Sequence, residues 1–325
     1  MPIPDSIKDN ISIPVIGAPL FLISVPDLVI AQCKAGIIGS FPALNARPQS
    51  VLEEWIIRIK TELKEYQEKN PDKKVAPFAV NQICHLSNDR LFKDVETCVK
   101  HEAPIIITSL RPPEDLVKAI HSYGGLVFHD VISTRHAQKA VEQGVDGLIL
   151  VCAGAGGHAG ALSPFALLRE TREWYDGTIL LSGSISDGFS VASAIAMGAD
   201  LAYIGTRFIA TQESEADDDY KNMLIESAAK DVVYTNYFSG VHGNYLSPSV
   251  ERAGMDPLNL PEADKTKMNF NSGGNASSKV WKDIYGSGQG INSIKDSPKV
   301  EDLVGKMKAE FQQARSEFST KSNYY

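Results

Sequence analysis

Residues 178–208 read TILLSGSISDGFSVASAIAMGADLAYIGTRF, and this stretch decides the fold. Two short apolar runs, Thr178–Ser182 and Leu201–Ile204, flank a helical segment at Gly188–Met197. Strands of a parallel sheet that is covered on both faces are uniformly apolar, as these runs are. Gly198 follows the helical segment directly, and glycine is the commonest residue after the last turn of a helix. The stretch therefore predicts a β–α–β unit.

The same alternation extends back to residue 15. Strands are predicted at Val15–Leu20, Ile37–Phe41, Val75–Asn81, Ile105–Leu110, Leu126–Val131, Gly147–Cys152, Thr178–Ser182 and Leu201–Ile204. Helices are predicted at Pro26–Ala35, Gln49–Lys69, Arg90–Glu102, Pro113–Tyr123, Thr134–Gln143, Ser163–Tyr175 and Gly188–Met197. Eight such units joined by right-handed crossovers close most economically into an α/β fold of the (β/α)8 TIM-barrel type. An open doubly wound sheet is the alternative.

The pattern changes after the eighth strand. A helix is predicted over Glu213–Lys230, a long irregular stretch over Tyr234–Gly290 and a final helix over about Val300–Phe318. A loop of that length in a compact fold usually has a function. We therefore expect a barrel made of residues 1–212 and 291–325, with residues 213–290 inserted as a cap or lid over its mouth.

Composition narrows the range of partners. The 325 residues carry a formal net charge of −8, whereas nucleic acid and anionic membranes attract basic surfaces. Small molecules are therefore the expected partners, with neither nucleic acid nor membrane. Four scattered cysteines without a C-x-x-C pair and an N-terminus without an apolar signal segment fit a reducing cytoplasm.

In a (β/α)8 barrel the active site is built from the loops that follow the strands. The strongest signal lies after the seventh and eighth strands, where backbone N–H groups and hydroxyls could bind a phosphate at Gly183, Ser184, Gly205 and Thr206. Arg207 either adds charge there or faces solvent. The alternative is that these are ordinary tight turns with helix N-caps at Ser186 or Thr206.

The loop after the sixth strand, AGAGGHAG at residues 153–160, contains His158 among four glycines. A histidine near its unperturbed pKa can act as base, acid or cationic anchor, so His158 is the candidate catalytic residue; a merely solvated side chain is the alternative. No spacing typical of metal ligands occurs, so no metal is predicted. Cys152 is expected to be a buried structural thiol, and Asp217–Asp219 to complement a helix dipole.

Four segments together resemble the nitronate monooxygenase family, formerly called 2-nitropropane dioxygenases. They are GAP at 17–19, GSFPALN at 39–45, GGHAG at 156–160 and MGAD at 197–200 leading to IGTRF at 204–208; GSGQG at 286–290 resembles a family segment that closes over the flavin. The resemblance implies an FMN-dependent monooxygenase that uses O2 to oxidise alkyl nitronates, such as propionate 3-nitronate, to a carbonyl compound and nitrite. Detoxification is the purpose that the family suggests.

The resemblance also assigns residues. It places Ala18, Pro19, Leu20 and Asn81 at the isoalloxazine, Gly156 and Gly157 beside it, Gly183, Ser184, Gly205 and Thr206 at the phosphate, Gln289 in the closing segment and His158 at the catalytic position. The chain departs from some relatives at Asp130, where they have lysine, and at Tyr203, where some bacterial members have glutamine.

Three alternatives stay open. Related barrels include FMN-dependent NAD(P)H:quinone or enoyl-thioester reductases, which share the phosphate loops and the histidine. The chain could also be a non-catalytic flavin-binding sensor or carrier, or a phosphosugar-type barrel without flavin. A homodimer is possible.

Overall fold

The computed structural model describes residues 3–111, 114–263 and 283–322. Eight parallel strands form a sheet that curves into a barrel. These barrel strands are β1 (Val15–Gly17), β2 (Gly39–Pro42), β3 (Phe78–Cys84), β4 (Ile105–Leu110), β5 (Leu126–Val131), β6 (Gly147–Val151), β8 (Thr178–Ser182) and β9 (Leu201–Ile204). A short helix, α1 (Asp5–Lys8), precedes the barrel. The helices that follow the strands are α2 (Pro26–Lys34), α3 (Val51–Lys69), α4 (Leu91–Lys100), α5 (Glu114–His121), α6 (Thr134–Glu142), α7 (Pro164–Arg172), α8 (Gly188–Met197) and α9 (Thr206–Ile209).

The strand order closes the barrel. Neighbouring strands pair in the order β1, β9, β8, β6, β5, β4, β3, β2. The ends of this sheet meet at a parallel bridge between Ile16 and Ile38, reinforced by a hydrogen bond from Gly17 N to Ile38 O at 2.8 Å. The predicted (β/α)8 barrel is confirmed, and the open doubly wound alternative is wrong because its two edge strands would not pair with each other.

Side chains alternate between the two faces of each strand. One set fills the barrel interior, including Ile16, Ile38, Ile107, Phe128, Ile149, Leu180 and Tyr203. The opposite set packs against the outer helices. The last helix, α12 (Val300–Ser322), completes that layer because its residues Val300, Leu303, Val304 and Met307 pack with residues of β1, β9 and α2. Helix α9 has only four residues, so residues 300–322 supply the outer helix that covers β9.

Residues 213–290, which we call the cap segment, contain more regular structure than the sequence indicated. Helix α10 is shorter than predicted, at Asp218–Glu226, with Asp217 as its N-cap. The stretch expected to be irregular holds β10 (Val232–Thr235), β11 (Gly243–Leu246) and α11 (Ser247–Arg252). Strand β11 pairs with both β10 and β7 (Gly157–His158), so the loop after β6 becomes part of a small antiparallel sheet. Residues 264–282 of the cap segment lie outside the described residues.

Several strand boundaries differ from the prediction, and two of them concern predicted site residues. Strand β1 ends at Gly17 instead of Leu20, since Pro19 has no N–H to donate to a ladder. Strand β3 runs to Cys84, so Asn81 lies within the strand instead of at its end. Across the described ranges, no helix is both long and apolar enough to cross a membrane.

Candidate active site at the barrel mouth

A cleft opens between the carboxyl ends of β8 and β9. It is lined mainly by backbone and small side chains from four loops: Gly154, Ala155, Gly156, Ser182, Gly183, Ser184, Ile185, Ser186, Tyr203, Gly205, Thr206, Gly288 and Gly290. Five of these were predicted from sequence, namely Gly156, Gly183, Ser184, Gly205 and Thr206. The fold therefore brings the two predicted phosphate turns and the loop after β6 to one place.

Glycine at position 156 is required by the close approach of two loops. A Cβ atom there would lie 2.7 Å from Gly288 N and 2.8 Å from Thr206 Oγ1. Those two atoms are themselves hydrogen-bonded at 2.9 Å, with Gly288 N–H donating. Since non-bonded carbon atoms prefer separations near 3.5 Å, any side chain at 156 would push this pair aside.

The turn after β8 has an unusual backbone. Gly183 has φ +128° and Ser184 has φ +56°, and the latter is costly for a residue with a side chain. The Ser184 N–H donates to Gly154 O at 3.2 Å and is therefore already used within the protein. The hydroxyl is the group through which Ser184 can bind a ligand in the cleft. Strain of this kind accumulates at ligand-binding sites.

The N-cap alternatives considered for these turns are wrong. Helix α8 is capped by Asp187, whose carboxylate accepts from Ser190 N–H at 2.8 Å, and not by Ser186. Helix α9 has Gly205 at its N-cap position, and no side chain caps it. The Thr206 hydroxyl is therefore not used as a cap; it accepts from Gly288 at the wall of the cleft.

Arg207 neither faces solvent nor reaches into the cleft. Its side chain is 3% exposed and donates to Ala210 O at 3.0 Å and to the Asp296 carboxylate at 3.1 Å. Arg207 thus ties the turn after β9 to the segment that precedes α12, and the sequence expectation that it adds charge to the phosphate site finds no support.

His158 lies in β7, where it pairs with Gly243 of the cap segment. Its Nε2 lies 2.8 Å from Ser239 Oγ, and the Ser239 hydroxyl also donates to Val241 O at 3.1 Å. One hydroxyl proton serves only one acceptor at a time, so the tautomer of His158 depends on the orientation of Ser239. Burial lowers the pKa of His158 to about 4, so the imidazole is neutral at pH 7.

The remaining predicted residues surround the cleft. Gly205 faces Ala18 and Leu20, since a Cβ there would lie 3.5 Å and 3.3 Å from atoms of their side chains. Pro19 lies between them in the chain. Gln289 donates its backbone N–H to Gly154 O at 2.9 Å.

Two residues lie further from the cleft lining. Asn81 is buried and donates to Ile107 O at 3.4 Å. Gly157 pairs with Asn244 in the small sheet. Gly156 lines the cleft two residues before His158, and two residues span at most about 7 Å, so the backbone of His158 lies close to the lining of the cleft.

Two residues that sequence reasoning missed organise this mouth. Ser239 contacts His158 from 81 positions further along the chain, and the buried Asn244 side chain donates to Ala155 O at 2.7 Å. Neither carries a local sequence signal, because pairing of β11 with β7 brings both to the loop after β6. The repeated glycines at 286–290 were a usable signal for Gly288 and Gly290.

The cysteines and acidic residues take structural roles. Cys152 is fully buried, and burial raises the pKa of its thiol to about 12, as expected for a structural thiol. The carboxylate of Asp217 accepts from Tyr220 N–H at 2.8 Å as a helix cap. Within the described ranges, no group of three or more His, Cys, Asp or Glu side chains could hold a metal ion.

A (β/α)8 barrel with a glycine-lined cleft after its last two strands has the architecture of the barrel enzymes that bind their ligands at the carboxyl ends of the strands. A family model described as nitronate monooxygenase matches residues 6–310. The chain therefore belongs to the nitronate monooxygenase family, and it is a flavin-dependent oxidoreductase.

Two curated relatives carry the family's name, and a third has a different one. A nitronate monooxygenase from Paraburkholderia phytofirmans is 25% identical, with 93% of each chain covered. A probable nitronate monooxygenase from Bacillus subtilis is 24% identical over 92% of this chain and 96% of its own. A Rhodococcus jostii dehydrogenase of a hydroxy-methyl-oxo-octahydro-indene carboxyl-CoA is 26% identical over 72% of this chain and 62% of its own.

Solved structures share the fold. A nitroalkane oxidase from Streptomyces ansochromogenes superposes with a TM-score of 0.79 at 20% identity, covering 97% of this chain and all of that one. FabK from Thermotoga maritima gives a TM-score of 0.76 at 21% identity, with 97% of each chain covered.

Proposed function

We propose that this protein binds FMN at the barrel mouth and oxidises alkyl nitronates with O2 to a carbonyl compound and nitrite. Propionate 3-nitronate is the substrate that the family suggests. The observation that carries the proposal is the cleft between the β8 and β9 turns, which is also lined by Gly156, two residues before His158.

The residues present fit a flavin phosphate. A Cβ at Gly156 would fill the space between two loops, and the hydroxyls of Ser184 and Thr206 line the same cleft. Hydroxyl and backbone donors in a glycine-lined turn are the groups that bind phosphate without a metal. FMN supplies the electron transfer and oxygen chemistry when bound. The protein supplies orientation, electrostatics and a shielded pocket.

His158 acts as a neutral imidazole. Because its pKa is depressed to about 4, it does not serve as a cationic anchor for the nitronate at pH 7. A neutral ring accepts a proton from the α-carbon of a bound nitroalkane, or donates one hydrogen bond to a nitronate oxygen. Ser239 at 2.8 Å holds the ring in position for either role.

The cap segment contributes to the shielded pocket in this proposal. Tyr234 donates from its hydroxyl to Ala159 O at 3.0 Å, and Asn244 donates to Ala155 O. Both contacts fix the loop that carries His158 under β10 and β11. We place the enzyme in the cytoplasm, since Cys33, Cys84, Cys98 and Cys152 are all buried free thiols.

The second candidate is an FMN-dependent reductase that uses NAD(P)H. It is favoured by the named CoA-ester dehydrogenase relative and by the fold shared with FabK. Anaerobic mixing distinguishes the two: bleaching of the bound flavin by a nitronate but not by NADH or NADPH supports the oxygenase. Rapid bleaching by a pyridine nucleotide supports the reductase.

The variant His158→Asn tests the catalytic assignment. General acid–base groups contribute about 10²- to 10⁴-fold to rate, so nitronate turnover should fall by at least a hundredfold while FMN stays bound. Turnover within about threefold of the parent, with flavin retained, would refute the role of His158. Purified protein without an absorption band near 450 nm that also fails to bind added FMN would refute the flavin assignment.

A further inference from the structure

The inward-facing side chains nearest the carboxyl ends of the barrel strands form a staggered ring around the mouth. Alternation along each strand identifies them, because they lie two residues beyond members of the interior cluster or belong to it. By this rule Asp130 follows Phe128 on β5. The ring consists of Ala18, Ser40, Asn81, Ser109, Asp130, Val151, Ser182 and Tyr203. Asp130 is the one carboxyl group in it.

Asp130 has an enclosed oxygen that the described part of the chain leaves unsatisfied. Its Oδ1 is buried and has no hydrogen-bond partner there. Burial raises the pKa of this carboxyl to about 7, and among the described residues no cationic group offsets that effect. A buried acceptor without a partner is destabilising. The Asp130 carboxyl can therefore accept a hydrogen bond from a polar ligand atom at the mouth, or donate one when it is protonated below pH 7.

Tyr203 connects Asp130 to the cleft. The tyrosine lines the cleft, and the charge of Asp130 contributes to raising the pKa of its phenol. The phenol of Tyr203 is therefore a neighbour of the carboxyl and stays protonated at neutral pH. His129, next in the chain, faces the opposite way, where its Nδ1 meets Thr108 Oγ1 at 2.7 Å.

We propose that Asp130 is a positioning residue for the bound flavin: its carboxylate borders the isoalloxazine at the mouth and limits the negative charge that the reduced isoalloxazine can carry. The proposal rests on the proposed function, because it needs a flavin in this mouth. A ligand held at the β8 and β9 turns lies beside Ser182 and Tyr203, which belong to the same ring of inward-facing side chains as Asp130.

The physical consequence is a lowered affinity for reduced flavin. At an effective dielectric constant near 20, a charge a few ångströms away changes the relative binding of two charge states by at least about tenfold. An ionised Asp130 therefore favours oxidised over reduced flavin, and a protonated Asp130 does not. The lowered affinity for reduced flavin is therefore expected at pH values above 7.

The experiment compares the two-electron midpoint potential of bound FMN in the parent and in Asp130→Asn, which keeps the shape and removes the charge. At pH 8.5 the variant should have a potential higher by at least about 30 mV, the equivalent of a tenfold change in relative affinity. At pH 5.5 the ratio of the affinities for oxidised and reduced flavin should agree within about twofold between the two proteins. Asp176→Asn removes an exposed carboxylate just before β8, at the other end of the barrel, and should leave the potential unchanged.

The outcomes separate this proposal from the proposed function. Equal potentials at both pH values, with FMN bound by both proteins, would overturn the assignment of Asp130 and leave the flavin site intact. Failure of the parent protein to bind FMN would overturn both. If Asp130→Asn does not fold, Asp130→Ser removes the same charge, and the same rise in potential is expected.

Discussion

Gly156→Ala is the substitution that tests the phosphate cradle most directly. The added Cβ would lie 2.7 Å from Gly288 N and 2.8 Å from Thr206 Oγ1, so these atoms must move by several tenths of an ångström or more. Their mutual hydrogen bond of 2.9 Å crosses the wall of the cleft. The backbone at 156 does not have a positive φ, so the effect comes from the collision and not from strain at position 156 itself.

The magnitude follows from the contacts with phosphate that such a movement removes. Hydrogen bonds to charged groups contribute about 1.5–3 kcal/mol each, and loss of one corresponds to about a 10- to 150-fold rise in Kd. Riboflavin has no phosphate, so its affinity should change less. The preference for FMN over riboflavin should therefore shrink by at least about tenfold.

Quenching of flavin fluorescence on titration with apoprotein measures both Kd values. Gly305→Ala is the matched control, because a Cβ there meets nothing within 4 Å and alanine favours the middle of helix α12. An unchanged FMN-to-riboflavin preference in a folded Gly156→Ala protein would show that the phosphate is not bound at this cleft.

Three further predictions concern the surroundings of the site. Ser239→Ala removes the contact that orients His158, so kcat/KM for a nitronate should fall about 10- to 100-fold with the Kd of FMN unchanged; a parent-like pH–rate profile and kcat/KM would contradict this. Arg207→Ala should lower the free energy of unfolding in urea by about 3 kcal/mol, whereas Asp296→Asn, whose side chain is 71% exposed, should cost under about 1 kcal/mol; equal losses would be inconsistent with a buried anchor. Burial lowers the pKa of His129 from 6.5 to about 4, so the unfolded chain binds more protons than the folded one between these pH values, and the free energy of unfolding falls as pH falls. Between pH 7 and pH 5 the free energy of unfolding of the parent should fall by about 2 kcal/mol more than that of His129→Gln. Equal falls for the two proteins in urea unfolding would exclude this cause.

The barrel could be predicted from sequence because its signal is local and repeated. Apolar β-branched runs and glycine stops recur in each unit, and the observed strands overlap all eight predicted ones. Boundaries were less accurate at Pro19 and Asn81. A proline ends pairing early, and a polar residue inside a barrel strand is indistinguishable in sequence from one that follows it.

The site residues also divide into those that a local sequence signal predicts and those that it does not. Gly183, Ser184, Gly205 and Thr206 were predictable because they follow strands directly, and such positions meet at one end of a parallel barrel. Ser239 was not, because its place depends on pairing between β11 and β7 across a long segment. The role of Arg207 was also misjudged, since its partner Asp296 lies 89 positions away and is exposed.

The two-residue strand β7 has a consequence for how substrate enters. Strand β11 is hydrogen-bonded to the backbone of Gly157 and His158, and Ala159 N–H donates to His242 O at 3.1 Å. Movement of the β10–β11 hairpin away from the barrel must either break these bonds or displace the imidazole. Access to the mouth and the position of the proposed base are thus mechanically coupled, because opening of the hairpin would displace His158 until the hairpin returns.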